Sequence, residues 1–179
     1  ERLVFTQEDF YDENEEYKYY DEYQKLPWQD SYAMLISLEN VKHLVYNYGR
    51  LIDGTEMFKN KVLTANVDAN KEEGRLSIDF IFYGYDNYNL PDDTQLPSNN
   101  EYTAPLYPLE ENSFRIVGTE QITTPAGTFD CTVIEVMVDY DLRQKLWMIN
   151  DQPGIYAKII EDEPGTWGHY SVFELQAIE

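Results

Sequence analysis

The alternation of apolar and polar residues is clearest in the last third of the chain. FRIVGTEQITT, the turn TPAG and TFDCTVIEVMVDY read as strand, turn, strand, and RQKLWMI, NDQPG and IYAKIIED repeat the arrangement. DEPGTWG leads into HYSVFELQAI, where Phe173, Leu175 and Ala177 share a face. Period-two runs separated by Pro-Gly and Ala-Gly steps predict an antiparallel meander over residues 113–178. Upstream, KVLTANV and RLSIDFIF put Leu63, Ala65 and Val67, then Leu76, Ile78, Phe80 and Phe82, on single faces around the polar stretch DANKEEG. That pattern predicts a hairpin over 60–83.

Met34, Leu38, Val41, Val45, Tyr48 and Ile52 recur at spacings of four and three, the stripe of an amphipathic helix over 31–52. Asp30 or Ser31 suits its start and Gly54 its end. Against it stand the β preference of Val, Tyr and Ile, Gly49 in the interior, and Glu39-Asn40 as a potential hairpin turn. Residues 84–108 hold four prolines among several Asn and Asp, which predicts a long loop. Residues 1–30 combine Leu3-Val4-Phe5, a candidate short strand, with an acidic, tyrosine-rich stretch of no clean period, expected to lie as an irregular surface segment. The expected fold is a single α+β domain, mostly β: a curved antiparallel sheet of seven to nine strands with one main helix packed on it.

Charge narrows the partners. Thirteen bases against 34 acids leave a formal net charge of −21. Such a field repels phosphates, so nucleic acid is excluded as a partner and anionic membrane surfaces are disfavoured. Cys131 is the only cysteine, so no internal disulfide forms; its alternation with Phe129 and Val133 predicts a buried, inert thiol. No apolar run approaches the ~18 residues of a membrane span. The start at Glu1 without Met leaves room for an export signal or lipid anchor upstream.

PLEENSFRIVGTEQITTPAGTFDCTVIEV, with LWMINDQPGIYAKI and VFELQAI, resembles a family of bacterial exported proteins of unassigned function. Its recurring features fall here on Gly118, Glu120, Ile122, Pro125, Ala126, Gly127, Thr128 and Phe129, then Trp147, then Pro153, Gly154, Ile155 and Lys158. The resemblance covers roughly the last 70 residues. That family is similar to the LolA and LolB lipoprotein carriers, which implies an open half-barrel and an exported protein of the periplasm or outer surface of a Gram-negative bacterium. It implies no catalytic residues.

Candidate chemistry is sparse. Asp92-Asp93 and Asp139/Asp141 are carboxylate pairs of the kind a glycan hydrolase uses, but with 34 acids in the chain such pairs are usually solvated surface. In Asp68-Ala-Asn70-Lys-Glu72 the glycine that a calcium loop needs arrives late, at Gly74. His43 and His169 stand outside any metal motif, and Ser171 lacks a nucleophile elbow. No metal, no cofactor and no enzymatic activity is expected. The aromatics offer the better functional expectation: Tyr83, Tyr85, Tyr88, Tyr102, Tyr107, Trp147 and Trp167 lie on or near the long loop and its neighbours. Tyr83, Tyr85, Tyr88, Tyr102 and Trp147 are the candidate residues for binding a hydrophobic (lipid) or glycan ligand by stacking and burial. The two rival expectations are a hydrolase and a structural component of a cell-surface assembly.

Overall fold

A computed structural model describes residues 31–80, 85–90, 106–107, 114–138, 141–162 and 169–179, with only the backbone of 31, 85–90, 138, 141 and 169. The segment 1–30 and most of the 84–108 stretch therefore lie outside the described residues. Among the described residues the first element is α1 (Ser31–Leu38), followed by β1 (His43–Ile52), β2 (Thr55–Asn70), β3 (Arg75–Phe80) and β4 (Tyr85–Leu90). Then come β5 (Phe114–Thr124), β6 (Gly127–Val138), β7 (Asp141–Ile149), β8 (Tyr156–Asp162) and β9 (His169–Ile178). They form one nine-stranded sheet in the order β4-β3-β2-β1-β9-β8-β7-β6-β5. Every neighbouring pair is antiparallel. The mostly-β expectation and the 113–178 meander agree with this arrangement. No helix of the described residues is long and apolar enough to cross a membrane.

The expected helix over 31–52 is corrected. The helix stops at Leu38, and Val45, Tyr48 and Ile52 belong to β1. The misleading spacing has a physical cause. Leu44 and Tyr46 are buried in strand alternation, but a bulge between Asn47 and Gly49 shifts the parity, so Gly49 and Leu51 are buried next. A period of two interrupted by one slip mimics threes and fours. Gly54 does not end a helix. Asp53 and Gly54, at φ of 50° and 76°, form the two-residue turn joining Ile52 to Thr55, the left-handed pair that Asp-Gly favours.

The hairpin predicted at 60–83 begins five residues earlier, and β2 runs on through Asn70, so its turn is Lys71–Gly74. There Gly74 takes φ 62° and Asn70 Oδ1 accepts from the Glu73 amide at 3.0 Å. The stretch expected as loop contains β4, which pairs with β3 from Leu76↔Leu90 to Phe80↔Tyr85.

The sheet is bent. Ala126, in the β5–β6 turn, donates its amide to the Leu175 carbonyl of β9 at 3.2 Å. In a flat sheet β6 and β9, three strand spacings apart, would stand roughly 14 Å from each other. Glu56 of β2 likewise pairs with Lys158 of β8 across β1 and β9. Register slips in six of the eight ladders, all but β2–β3 and β8–β9, supply the bending, because each bulge adds local twist.

Candidate functional site

Register assigns the two faces of the meander directly. Ile116, Ile134, Leu146, Ile159, Phe173 and Tyr48 stand in one row across β5, β6, β7, β8, β9 and β1. One position along, on the opposite face, runs Gly118, Val133, Trp147, Lys158, Glu174 and Asn47. The first row is wholly apolar, whereas the second carries charge into the interior.

Trp147 sits at the centre of that second row and is completely buried. Its indole N–H donates to Glu120 Oε2 at 3.0 Å. The ammonium groups of Lys158 and Lys145 lie 5.6 and 5.8 Å from the ring centroid, a distance at which the ring quadrupole attracts them. Lys158, 7% exposed, is ion-paired to Glu56. One row further, Glu135 stands between Arg115 and Lys145, and Arg115 Nε donates to its Oε1 at 2.6 Å. Glu56, Glu120 and Glu135 are thus each engaged by a donor, as burial of a carboxylate requires.

Glu174, beside Lys158, has its carboxyl pushed above the ordinary range by burial, against the opposing pull of the Asn47 side chain and the Lys158 charge. The folded protein therefore holds this proton more tightly than the unfolded chain. The stability it contributes is full below the ordinary carboxylate pKa and is lost as pH rises through the folded value. Glu174→Gln is accordingly expected to raise the melting temperature near pH 7, with the gain disappearing at about pH 4. An equal gain at both values, read by thermal melts, would show that Glu174 is not the titrating group.

A second cluster lies around the β7–β8 turn. Tyr46, Tyr107 and Tyr156 are fully buried. Tyr46 donates its hydroxyl to the Tyr156 carbonyl at 2.7 Å, Tyr107 donates to the Gly154 carbonyl at 2.8 Å, and Tyr156 donates to the Leu106 carbonyl. Burial pushes the phenols of Tyr46 and Tyr156 up, so both remain neutral donors. Leu106 and Tyr107, from the far end of the predicted loop, are thereby fastened to the sheet. Met34 and Leu38 of α1 close over Gly154 from the other side.

Of the residues expected to bind a ligand, Trp147 offers no exposed plane, because its ring is part of the core. Tyr85 and Tyr88 fall in β4, with only their backbones described, and Tyr83 and Tyr102 lie outside the described residues, as do Trp167, Asp92, Asp93 and Asp139. His43 opens β1 as an exposed residue beside Asn66, 3.2 Å from its Oδ1. Cys131 is buried, and burial with the nearby Asp130 and Glu120 charges pushes its thiol up to about 12, in agreement with the inert thiol read from the strand pattern. No group of His, Cys, Asp and Glu that could hold a metal occurs among the described residues. The charged row escaped sequence reasoning because Glu and Lys at alternate strand positions read as solvent-facing. The one available signal was Lys158 within YAKII, a base amid apolar neighbours.

No family profile matches the chain, and no curated protein matches it. Among solved structures the chain is similar to one in the MucA/MucB complex of Pseudomonas aeruginosa, at 12% identity and a TM-score of 0.38, covering 85% of this chain and 55% of that one. It is also similar to an exported protein with a YmcC-like fold from Bacteroides fragilis, at 13% identity and a TM-score of 0.37, covering 76% and 94%. A third likeness is to a DUF1329 family protein from Desulfovibrio piger, at 8% identity and a TM-score of 0.25, covering 87% and 93%. The chain spans about half the length of the matched chain in the MucA/MucB complex.

Proposed function

We propose that the protein is a non-enzymatic, exported component of a bacterial cell envelope that acts by contact with another macromolecule, and that it carries no apolar ligand within its sheet. The observation that carries this reading is the burial of five consecutive residues of β8, Tyr156 to Ile160. Successive strand residues face opposite sides, so an unbroken buried run means that both faces are covered at the middle of the meander. An acyl chain would need that surface. The engaged state of Glu56, Glu120 and Glu135 supports the non-enzymatic part, and the PAGTF-centred resemblance supports the exported setting in periplasm or outer surface.

A fluorescent fatty-acid analogue tests the reading. Titrated into the protein, it is expected to show no saturable signal at micromolar concentrations. Saturable binding that unlabelled fatty acid displaces would restore the carrier reading, with the segment holding Leu106 and Tyr107 as its cover.

A further inference from the structure

One stretch of the β1–β2 hairpin is unusually exposed. The six residues Met57 to Val62 are all exposed, an unbroken run in the middle of a strand. Met57, Phe58 and Val62 are 49%, 41% and 50% exposed, three of the six large hydrophobics left open among the described residues. The Phe58 ring rests on Gly49, where an added Cβ would stand 2.8 Å from Phe58 Cδ1. Along its outer edge, β2 is paired with β3 only from Ala65 to Asn70, so Thr55–Thr64 has no outer neighbour among the described residues.

Charge singles out the same place. Residues 40–67 hold four bases (Lys42, Arg50, Lys59, Lys61) and two acids (Asp53, Glu56), a net +2. The remaining chain, with nine bases and 32 acids, carries −23. Among the described residues neither Lys59 nor Lys61 is in an ion pair, and Lys61 lies 5.5 Å over the Tyr48 ring. Lysines and a bulge on an open stretch of strand do protect against strand-to-strand aggregation, and the Thr55–Thr64 part of β2, an inner strand between β1 and β3, has both, since Lys59, Asn60 and Lys61 stand opposite Tyr48 alone. Protection accounts for the lysines but not for three large apolar side chains beside them, which a merely guarded edge would avoid.

We propose that the Met57–Val62 stretch of β2 is a docking surface for an acidic, aromatic-bearing segment of another protein chain. This inference rests on the contact function argued above and names its surface and partner chemistry. Acidic side chains meet Lys59 and Lys61, and aromatic rings cover Phe58 and Val62 on one face of the strand and Met57 on the other, so the segment lies along the open edge and touches both faces. The bulge spoils the regular ladder, so side chains rather than added strand pairing carry the contact. A membrane fits the same local chemistry less well. An anionic bilayer is a plane that brings its charge against the −23 remainder, whereas a narrow segment meets only the hairpin within a screening length of ~10 Å.

The test uses a fluorescently labelled random copolymer of glutamate and tyrosine at low salt, read by anisotropy. The wild-type protein is expected to bind it, and the double variant Lys59→Glu/Lys61→Glu to bind about tenfold more weakly. Met57→Ser is expected to lose about threefold, and Lys71→Glu, at the far end of β2, to leave binding unchanged. Polyglutamate without tyrosine is expected to bind more weakly than the copolymer. Absence of wild-type binding, indifference to the lysine reversal, or equal affinity for polyglutamate would each overturn the proposal. So would lysine-dependent binding to phosphatidylglycerol vesicles that matches or exceeds copolymer binding. Saturable fatty-acid binding, by contrast, would unseat the contact function without touching the copolymer result, so the two failures are separable.

Discussion

Trp147→Ala is expected to destabilise the protein by about 3–5 kcal/mol, the usual cost of truncating a fully buried tryptophan. The loss has more than one source here. The cavity opens in the centre of a row whose neighbours Val133 and Lys158 are themselves buried, so it cannot collapse without moving β6 or β8. Two lysines lose the ring they lie against, and Glu120 loses the indole N–H. Trp147→Phe keeps most of the volume and a ring face but not the N–H, and is expected to fall between the wild type and alanine. Urea denaturation reads both. A Trp147→Ala midpoint within error of the wild type would show that the ring is not central to the core.

Gly154→Ala is expected to cost about 2–4 kcal/mol, summing left-handed backbone strain and overpacking. Gly154 has φ 94°, where an L side chain is strained whatever space surrounds it. Space is also missing, because the new methyl would stand 2.6 Å from Met34 Cε. The two contributions separate in a double-mutant cycle. Met34→Ala removes the collision but not the backbone strain, so the added cost of Gly154→Ala should shrink by about half in that background and not vanish. Additive costs across the cycle would mean that α1 does not rest on the β7–β8 turn.

The elements legible in the sequence are those whose ladders follow local turn chemistry. TPAG, NDQPG and KEEG mark reversals at β5–β6, β7–β8 and β2–β3 because glycine there adopts φ values of 143°, 94° and 62°. The β1–β2 reversal was equally well marked by Asp53-Gly54, but the apparent helical stripe overrode it. That stripe came from a bulge, which local pattern reading registers only as a change of period. The candidate site was less legible for a different reason. Lys158, Glu135 and Trp147 take their significance from neighbours two and three strands away, and strand order lies outside local pattern. What makes Phe58 and Val62 conspicuous is exposure, and an apolar residue in a strand carries no mark of which way the sheet will leave it facing.

The sheet order also bears on how the chain comes to be folded at all. β1 to β4 and β5 to β9 are two runs in which each strand pairs with its predecessor. They meet along a single seam, β1 against β9, where Ile52 lies beside His169 and the Glu179 carbonyl accepts from the His43 amide. Closing that seam requires β9 to be synthesised, so until then a partly made chain presents β1 as a raw hydrogen-bonding edge. Non-local pairing of this kind is slow, because the entropy of a loop of more than a hundred residues is lost before the contacts form. The molecule is in this sense two zippers with one late clasp. The time during which β1 waits for β9 is when the newborn chain is most exposed to wrong partners and most in need of shielding.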